Sequence, residues 1–111
     1  MADCIFCKLA NGEIPTNVVY ETEDIMAFED ANPQAPVHTL VVPKEHHANI
    51  ADGVSEELMG KLFAAANKVA EIKGVKETGY RLIVNTGKDA AQTVEHVHVH
   101  VLGGRKMSEH M

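Results

Sequence analysis

Three histidines alternate with valines near the end of the chain, in residues 95–101 (EHVHVHV). Successive side chains of a β-strand point to opposite faces, so His96, His98 and His100 are expected to share one face and the valines the other. A row of imidazoles can bind a metal ion, donate to phosphate groups, or supply a nucleophile with its supporting groups. Neighbouring side chains on one face of a strand run parallel, so these three alone are a poor ligand set for one metal ion.

Histidine is also the nucleophile that remains when the other candidates are considered. The chain has two serines, Ser55 and Ser108, and neither lies in a G-x-S-x-G motif. The glycines at positions 74 and 79 do not form a Walker A loop, and no dinucleotide-binding glycine motif is present. The histidine stretch is therefore the predicted reactive centre.

Two cysteines, Cys4 and Cys7, are separated by two residues near the start of the chain. The first residues carry an acid and no apolar stretch, and the longest apolar run is residues 62–66. We therefore expect neither a secretory signal nor a membrane span, and a cytoplasmic location. In such a compartment a pair of this kind binds a metal or takes part in redox chemistry, and the pattern leaves both open.

Length and charge restrict the class of protein. With 111 residues, 45% of them hydrophobic, and no linker or repeat, the chain is expected to form one domain over residues 1–111. Sixteen acidic against ten basic residues give a net charge of −6. This balance argues against binding to nucleic acid, which requires a concentrated basic face. It is compatible with a small anionic ligand bound by local donors.

The elements that position the histidines are predicted from apolar periodicity and from turn residues. Strands are expected at 18–22, 25–29, 38–42, 80–85 and 96–102, and a short helix or turn at 4–10. A long helix is expected from Ser55, a good N-cap residue, to about Lys73, with Gly74 ending it. This order predicts an α+β fold with a five-stranded, mainly antiparallel sheet, one long helix across a face, and a short N-terminal helix.

Residues 96–102 (HVHVHVL) fit the H-φ-H-φ-H-φ-φ signature of the histidine triad (HIT) family, in which φ is an apolar residue. Other segments resemble the family in the same order along the chain: 5–6 (IF), 13–15 (EIP), 28–30 (FED), 33–38 (PQAPVH), 42–44 (VPK), 81–85 (RLIVN) and 92–94 (QTV). The resemblance covers residues 3 to about 106. Residues 102–105 (LGGR) resemble the Hint branch, whereas the dinucleoside polyphosphate hydrolase branch typically has Leu-Pro-Arg there.

The resemblance implies hydrolysis or transfer at the α-phosphorus of a nucleotide, through a covalent nucleotidyl-histidine. The implied substrates are purine nucleoside phosphoramidates or acyl-adenylates, with release of AMP or GMP, and the implied assembly is a homodimer. One alternative is a dinucleoside polyphosphate hydrolase or phosphorylase, which the glycines at 103–104 disfavour. Another is a regulatory module that binds nucleotide or zinc without turnover, which the intact histidines disfavour.

The family pattern also implies roles for individual residues. His98 is the expected nucleophile, with its second nitrogen held by a backbone carbonyl. His100 is expected to contact phosphoryl oxygens or the leaving group, His38 to orient the site from a neighbouring strand, and His96 to complete the triad. Nucleotide-binding residues are expected in three groups: neutral phosphate-loop residues (Asn85, Gln92 and Thr93), a ribose carboxylate (Asp30), and base-pocket side chains (Ile5, Phe6, Leu9, Phe28 and Leu40).

The two cysteines resemble a pair that binds zinc with two histidines in many bacterial HIT proteins. The matching histidines are His46 and His96, which implies a structural zinc site of two cysteines and two histidines and a nucleophile free of metal. A thioredoxin-like pair and two free thiols are the alternatives. His47 and His110 are expected to be exposed to solvent. The chain departs from the family pattern at Ala91, where glycine is usual.

Overall fold

A five-stranded sheet forms the centre of the computed structural model, which describes residues 4–110. The strands are β1 (Val18–Glu21), β2 (Ile25–Glu29), β3 (Val37–Pro43), β4 (Tyr80–Ile83) and β5 (Val99–Gly103). Helix α1 (Ile5–Ala10) precedes β1, helix α2 (Glu56–Ile72) connects β3 to β4, and a 3₁₀ turn at Lys88–Ala90 lies between β4 and β5. The sheet order is β1-β2-β3-β5-β4, and every neighbouring pair is antiparallel. The predicted α+β class, with five strands, one long helix and a short N-terminal helix, is confirmed.

Helix α2 lies across one face of this sheet. The hydroxyl oxygen of Ser55 accepts a hydrogen bond from the backbone N–H of Leu58 at 3.0 Å, so serine caps the helix as predicted. The apolar stripe of Leu62, Ala66 and Val69 is fully buried and packs with valines of β3 and β5. Burial of a leucine or valine side chain stabilises a fold by roughly 1.5–3 kcal/mol. In the described residues, no helix is long and apolar enough to cross a membrane.

The opposite face of the sheet, on the side of α1, carries the catalytic candidates. Alternation along β3 places Val41 under α2 and Leu40 and Val42 on the α1 side. His38 lies two residues before Leu40, and His100 of β5 pairs directly with Leu40. Both histidines therefore share the α1 face of two adjacent central strands.

Strand β5 begins at Val99, three residues later than the sequence predicted. In the register of β3 and β5, a longer ladder would pair Val42 with His98 and then Pro43 with Val97. Proline has no N–H to give to a ladder, and Val97 instead donates its N–H to the carbonyl of His47 at 2.7 Å. Residues 96–98 therefore lie just outside the sheet, where their side chains are free of the strand alternation.

The other strand ends differ little from the predicted ones. β1 ends at Glu21 rather than at residue 22, and β3 extends one residue further at each end than residues 38–42. β4 ends at Ile83, whereas the sequence predicted residue 85. Because Ile83 pairs with His100, residue 85 would face His98, which precedes β5 and provides no strand for pairing.

A polar network fixes the ends of β2 and β3 beside the end of α2. The carboxylate of Glu29 accepts hydrogen bonds from the Lys73 ammonium and from the Thr39 hydroxyl, both at 2.8 Å. Burial opposes the ionisation of Glu29, but the hydrogen bonds from Lys73 and Thr39 outweigh it and lower the pKa of the carboxyl group. Since Asp30 follows Glu29 and His38 precedes Thr39, the network also fixes the backbone that carries two candidate site residues.

Candidate functional site

The imidazole of His98 is held in one orientation by a backbone carbonyl and an aromatic ring. Its Nδ1 lies 2.7 Å from the carbonyl oxygen of His96. A carbonyl oxygen only accepts, so Nδ1 carries the ring proton and Nε2 keeps its lone pair. The ring of Phe6, from α1, meets the imidazole edge-on, with 5.0 Å between the centroids and an interplanar angle of 89°. This is the carbonyl contact that the family pattern implied for the nucleophile.

Burial favours the neutral imidazoles of His98 and His100. His98 is 5% exposed, and burial lowers the pKa of its ring more than the hydrogen bond to the His96 carbonyl raises it. Burial, followed by the charges of His98 and His38, lowers the pKa of His100 to about 4. A neutral imidazole with a free Nε2 can attack phosphorus without a separate general base.

A hydrogen-bonded group joins His100 to β3 and to the loop before it. Nδ1 of His100 lies 2.9 Å from Nε2 of His38, and the backbone N–H of Gln34 donates to Nδ1 of His38 at 3.0 Å. A carboxylate oxygen of Asp30 lies 3.3 Å from the same Nε2 of His38. The rings of His98 and His100 are neighbours, with centroids 4.9 Å apart. The structure thus brings together His98, His100, His38 and Asp30.

His96 turns away from the other two triad histidines, so the three do not form the row expected on one strand face. Its Nδ1 lies 3.3 Å from Cys4 Sγ, 3.4 Å from Cys7 Sγ and 3.2 Å from Nδ1 of His46. The turn is allowed because residue 96 precedes β5. The ring of His96 therefore lies with Cys4, Cys7 and His46, here called the cysteine group, while its carbonyl contacts the ring of His98.

The four donor atoms of Cys4, Cys7, His46 and His96 lie within 4.8 Å of one another. Tetrahedral zinc, with bonds of about 2.0–2.3 Å to nitrogen and sulfur, places its ligand atoms roughly 3.3–3.8 Å apart. The observed distances of 3.2 Å from Cys7 Sγ to His46 Nδ1 and 3.3 Å from Cys4 Sγ to His96 Nδ1 are close to that range. These four residues therefore fit a metal ion of this kind.

The ring proton of His96 lies on the nitrogen that faces away from the cysteines, which leaves the other nitrogen free to bind a metal. Nε2 of His96 lies 2.8 Å from the carbonyl oxygen of Pro43, so Nε2 carries the proton and Nδ1 presents its lone pair to the group. Burial lowers the pKa of His96 to about 4 and raises the pKa of the Cys7 thiol. A bound metal would displace the thiol proton, as metal binding to cysteine generally does.

The loop before the triad is braced by Gln92. Its side-chain oxygen accepts from the backbone N–H of Gly87 at 2.8 Å, and its NH₂ group donates to the carbonyls of Ala48 at 2.7 Å and Val94 at 2.9 Å. Gln92 was expected among the phosphate-binding residues, and here its amide shapes the loop that presents Thr93. Thr93 is exposed, and Asn85, after β4, is half-buried.

The side chains expected in the base pocket divide into two groups. Phe6, Phe28 and Leu40 are buried in one cluster below the site, and Leu9 packs against its edge. Phe28 and Leu40 are only 2% and 5% exposed, so they form the floor of this region rather than its accessible surface. Ile5 is 43% exposed and is the member of the set most open to a ligand.

His47 was expected to be exposed, and that expectation is wrong. Its side chain is 12% exposed, and its Nδ1 donates to the carbonyl of Asp52 at 2.8 Å. The loop after β3 turns back on itself there and encloses the ring. His110 is exposed, as expected. Sequence reasoning missed the backbone N–H of Gln34 and the carbonyl of Pro43, because main-chain groups leave no signal in residue type.

A sequence model of the HIT domain matches residues 11–107 of the chain. The chain belongs to the HIT family. The matched region includes the three triad histidines, His38 and His46, whereas both cysteines precede it. The family membership expected from the sequence is confirmed.

Bacterial HIT proteins are similar to this one over nearly their whole length. The purine nucleoside phosphoramidase of Escherichia coli is 40% identical over 107 residues, which are 95% of this chain and 90% of that protein. An uncharacterized HIT-like protein of Synechococcus elongatus is 44% identical over 108 residues, 96% of this chain and 94% of that protein. A HIT family hydrolase from Legionella pneumophila, known from its crystal structure, is 45% identical with a TM-score of 0.93, covering 97% of this chain and 98% of that one. The HIT-like fold is thereby confirmed.

The departure from the HIT pattern at Ala91 falls on a strained backbone position. Ala91 has φ 60° and ψ 38°, and among residues 4–110 it is the one non-glycine residue with a positive φ. A residue with a Cβ loses roughly 1–2 kcal/mol in this left-handed region. The alanine therefore stores strain in the loop that Gln92 braces.

Replacing Ala91 with glycine is expected to raise the free energy of unfolding by about 0.5–1 kcal/mol, since relief of strain outweighs the greater entropy of an unfolded glycine. Urea denaturation of the two proteins measures the difference. Ala90→Gly is the matched control, because residue 90 lies in the 3₁₀ turn with no positive φ and should lose stability. An equal loss in both variants would show that Ala91 carries no strain.

Proposed function

We propose that this HIT protein is a purine nucleoside phosphoramidase. It hydrolyses the P–N bond of purine nucleoside 5′-phosphoramidates, or the acyl-phosphate bond of acyl-adenylates, and releases AMP or GMP. The observation that carries this proposal is the buried neutral His98, whose Nδ1–H is held by the His96 carbonyl while Nε2 stays free. The named activity of the Escherichia coli relative, at 40% identity, supports the same reaction.

In the first step Nε2 of His98 attacks the α-phosphorus, and the P–Nε2 bond forms as the P–N bond of the substrate breaks. The leaving nitrogen takes a proton from water and departs as an amine. The imidazole becomes cationic, because its Nδ1 keeps its proton, and the carbonyl of His96 at 2.7 Å stabilises that charge. In the second step water attacks phosphorus, the P–Nε2 bond breaks and its electron pair returns to Nε2. The proton that the attacking water loses neutralises the hydroxide left by the first step.

The other groups of the site serve to bind and orient the nucleotide. His100 is placed beside His98 to contact a phosphoryl oxygen or the leaving atom, and Asn85 and Thr93 offer neutral donors to the remaining oxygens. Asp30 is the carboxylate for the ribose hydroxyls. The base is expected over Ile5, with Phe6, Leu9, Phe28 and Leu40 beneath it.

We also propose that Cys4, Cys7, His46 and His96 hold a structural zinc ion. When bound, zinc would link the start of α1 to the loop after β3 and to residue 96. The chain's own residues carry out the reaction, since His98 is not among the four ligands. The two free thiols and their fit to a metal are consistent with the reducing cytoplasm, where we place the protein.

A homodimer is the assembly we propose. β4 lies at one edge of the sheet, with its backbone groups open to a further element. On α2, Phe63 is 38% exposed and Ile72 is 48% exposed. A second copy that covers this edge and helix would bury both side chains.

Release of AMP from adenosine 5′-phosphoramidate, followed by chromatography, tests the proposed reaction. We expect multiple turnovers, and slower cleavage of diadenosine polyphosphates under the same conditions. Faster cleavage of the polyphosphates would assign the protein to the dinucleoside polyphosphate hydrolases or phosphorylases instead. Binding of AMP with no cleavage of either substrate would identify a regulatory module.

A further inference from the structure

The loop between β2 and β3 contributes a main-chain group to the catalytic histidines. The backbone N–H of Gln34 lies 3.0 Å from Nδ1 of His38. A backbone N–H is a donor only, so Nδ1 of His38 must present its lone pair. The ring proton of His38 is therefore on Nε2.

The position of that proton decides the tautomer of the next histidine. Nε2 of His38 lies 2.9 Å from Nδ1 of His100. Two N–H groups do not face each other at this distance, so Nδ1 of His100 accepts and its own ring proton lies on Nε2. His100 thereby has an N–H on the nitrogen that faces away from His38, next to the ring of His98.

We propose that the backbone N–H of Gln34 is a positioning group that fixes the tautomers of His38 and His100. Through the two rings it gives His100 an Nε2–H to donate to the phosphoryl group or the leaving atom. This role rests on the proposed phosphoramidase function, whereas the tautomers themselves follow from the hydrogen bonds alone. The proposal concerns only which nitrogen of each ring carries the proton, and it invokes no proton transfer between the rings.

Asp30 does not change this assignment. Its carboxylate oxygen, 3.3 Å from Nε2 of His38, is a second acceptor for the same proton. A second proton on the ring would have to sit on Nδ1, where it would point at the N–H of Gln34. The amide of Gln34 therefore keeps a proton off Nδ1 even beside a carboxylate.

The positions of the ring protons also distinguish the group of Asp30, His38 and His100 from the cysteine group. Ligand atoms of Asp30, His38 and His100 also lie within 4.8 Å of one another, as in a cation site. Nε2 of His38 carries a proton, however, and has no lone pair to give to a metal. Nδ1 of His96 has one, because its proton is held on Nε2 by the carbonyl of Pro43. Of these two groups, the cysteine group is therefore the one that fits a metal ion.

The segment that follows β5 holds the Gln34 loop in place. The guanidinium of Arg105 donates to the carbonyl oxygen of Gln34 at 3.0 Å. Gly104 has φ +89°, and a Cβ there would come within 2.8 Å of the Cβ of Pro36. Glycine is thus required where this segment meets the loop, which gives residues 104–105 of the LGGR motif a link to the site.

The test removes the N–H at position 34 and compares the product with a reference that differs from it at that backbone bond. Gln34→Ala serves as the reference, and it is compared with the same protein carrying lactic acid at position 34, so that an ester oxygen replaces the N–H. We expect the ester to lower kcat for adenosine 5′-phosphoramidate about 100-fold relative to the reference, the typical cost of one lost transition-state donor. KM should change far less, because the loop and its side chains are unaltered.

Nitrogen NMR of the imidazole rings provides the readout that a purely structural role would not move. In the unmodified protein His38 and His100 should both carry their proton on Nε2. In the ester, which no longer excludes a proton from Nδ1, His38 should no longer be confined to this tautomer. A proton on Nδ1 of either ring in the unmodified protein would overturn the assignment, and so would an ester with the kcat of its reference.

The NMR spectrum tests the tautomer assignment, and the AMP-release assay tests the phosphoramidase function, so one can be wrong while the other is right. If the unmodified protein releases no AMP but shows both Nε2 tautomers, the phosphoramidase function is wrong and the tautomer assignment is supported. If the ester does not fold, the spectrum of the unmodified protein alone decides, since it requires neither substrate nor substitution.

Discussion

Replacing His98 with alanine is expected to lower the rate of AMP release from adenosine 5′-phosphoramidate by roughly 10⁴–10⁶-fold, the loss typical of a removed nucleophile. The substitution deletes Nε2, the nitrogen that forms the bond to phosphorus, and no other triad histidine can replace it. The ring of His96 belongs to the cysteine group, and Nδ1 of His100 is engaged by His38. Initial rates with saturating substrate measure the effect.

The control must separate lost chemistry from lost structure, because His98 is buried against Phe6. Thermal unfolding and AMP binding should show that His98→Ala still folds and still holds the nucleotide. His110→Ala, which removes an exposed histidine from the tail, should keep the full rate. A folded His98→Ala protein with more than a tenth of the original rate would show that the bond to phosphorus forms elsewhere.

Replacing His46 with alanine is expected to abolish stoichiometric zinc binding and to lower the melting temperature. A ligand bound at several hundred times its Kd stabilises a fold by about 3–4 kcal/mol, which for a domain of this size corresponds to about 10–20 °C. His46 contributes one of the four donor atoms, 3.2 Å from both Cys7 Sγ and His96 Nδ1. Metal analysis of the purified protein and calorimetry measure the two effects.

His47→Ala is the matched control, because it removes a histidine at the adjacent position. The ring of His47 donates to the carbonyl of Asp52 and is not one of the four ligands. This variant should keep one zinc ion per chain. If both variants keep zinc, or both lose it, His46 is not a specific ligand. Because His96 also holds His98, loss of the metal should lower kcat as well.

The fold could be predicted from the sequence because its local signals agree. Alternating valines predicted the central strand, and Val99 and Val101 are indeed under α2. The start of that strand was wrong, however. Pro43 is visible in the sequence, but its effect on the ladder depends on facing Val97 across β3 and β5. That register becomes known only when the two strands are paired in space.

The site was predictable wherever side-chain type carries the chemistry. Alternating histidines and a close cysteine pair pointed to the residues that the structure gathers at the site. What the sequence does not reveal are the main-chain partners, such as the N–H of Gln34 and the carbonyls of Pro43 and His96. Every residue type but proline has the same N–H and C=O, so only the path of the chain decides which of them faces an imidazole.

The most direct test is to look for the covalent intermediate itself. Excess adenosine 5′-phosphoramidate is mixed with the protein, the reaction is stopped within milliseconds by alkaline denaturant, and the digested chain is analysed by mass spectrometry. We expect one adenylyl group, on His98, that appears and decays at rates compatible with kcat and is absent from His98→Ala. Turnover without any adduct, or an adduct on His96 or His100 alone, would contradict nucleophilic catalysis by His98.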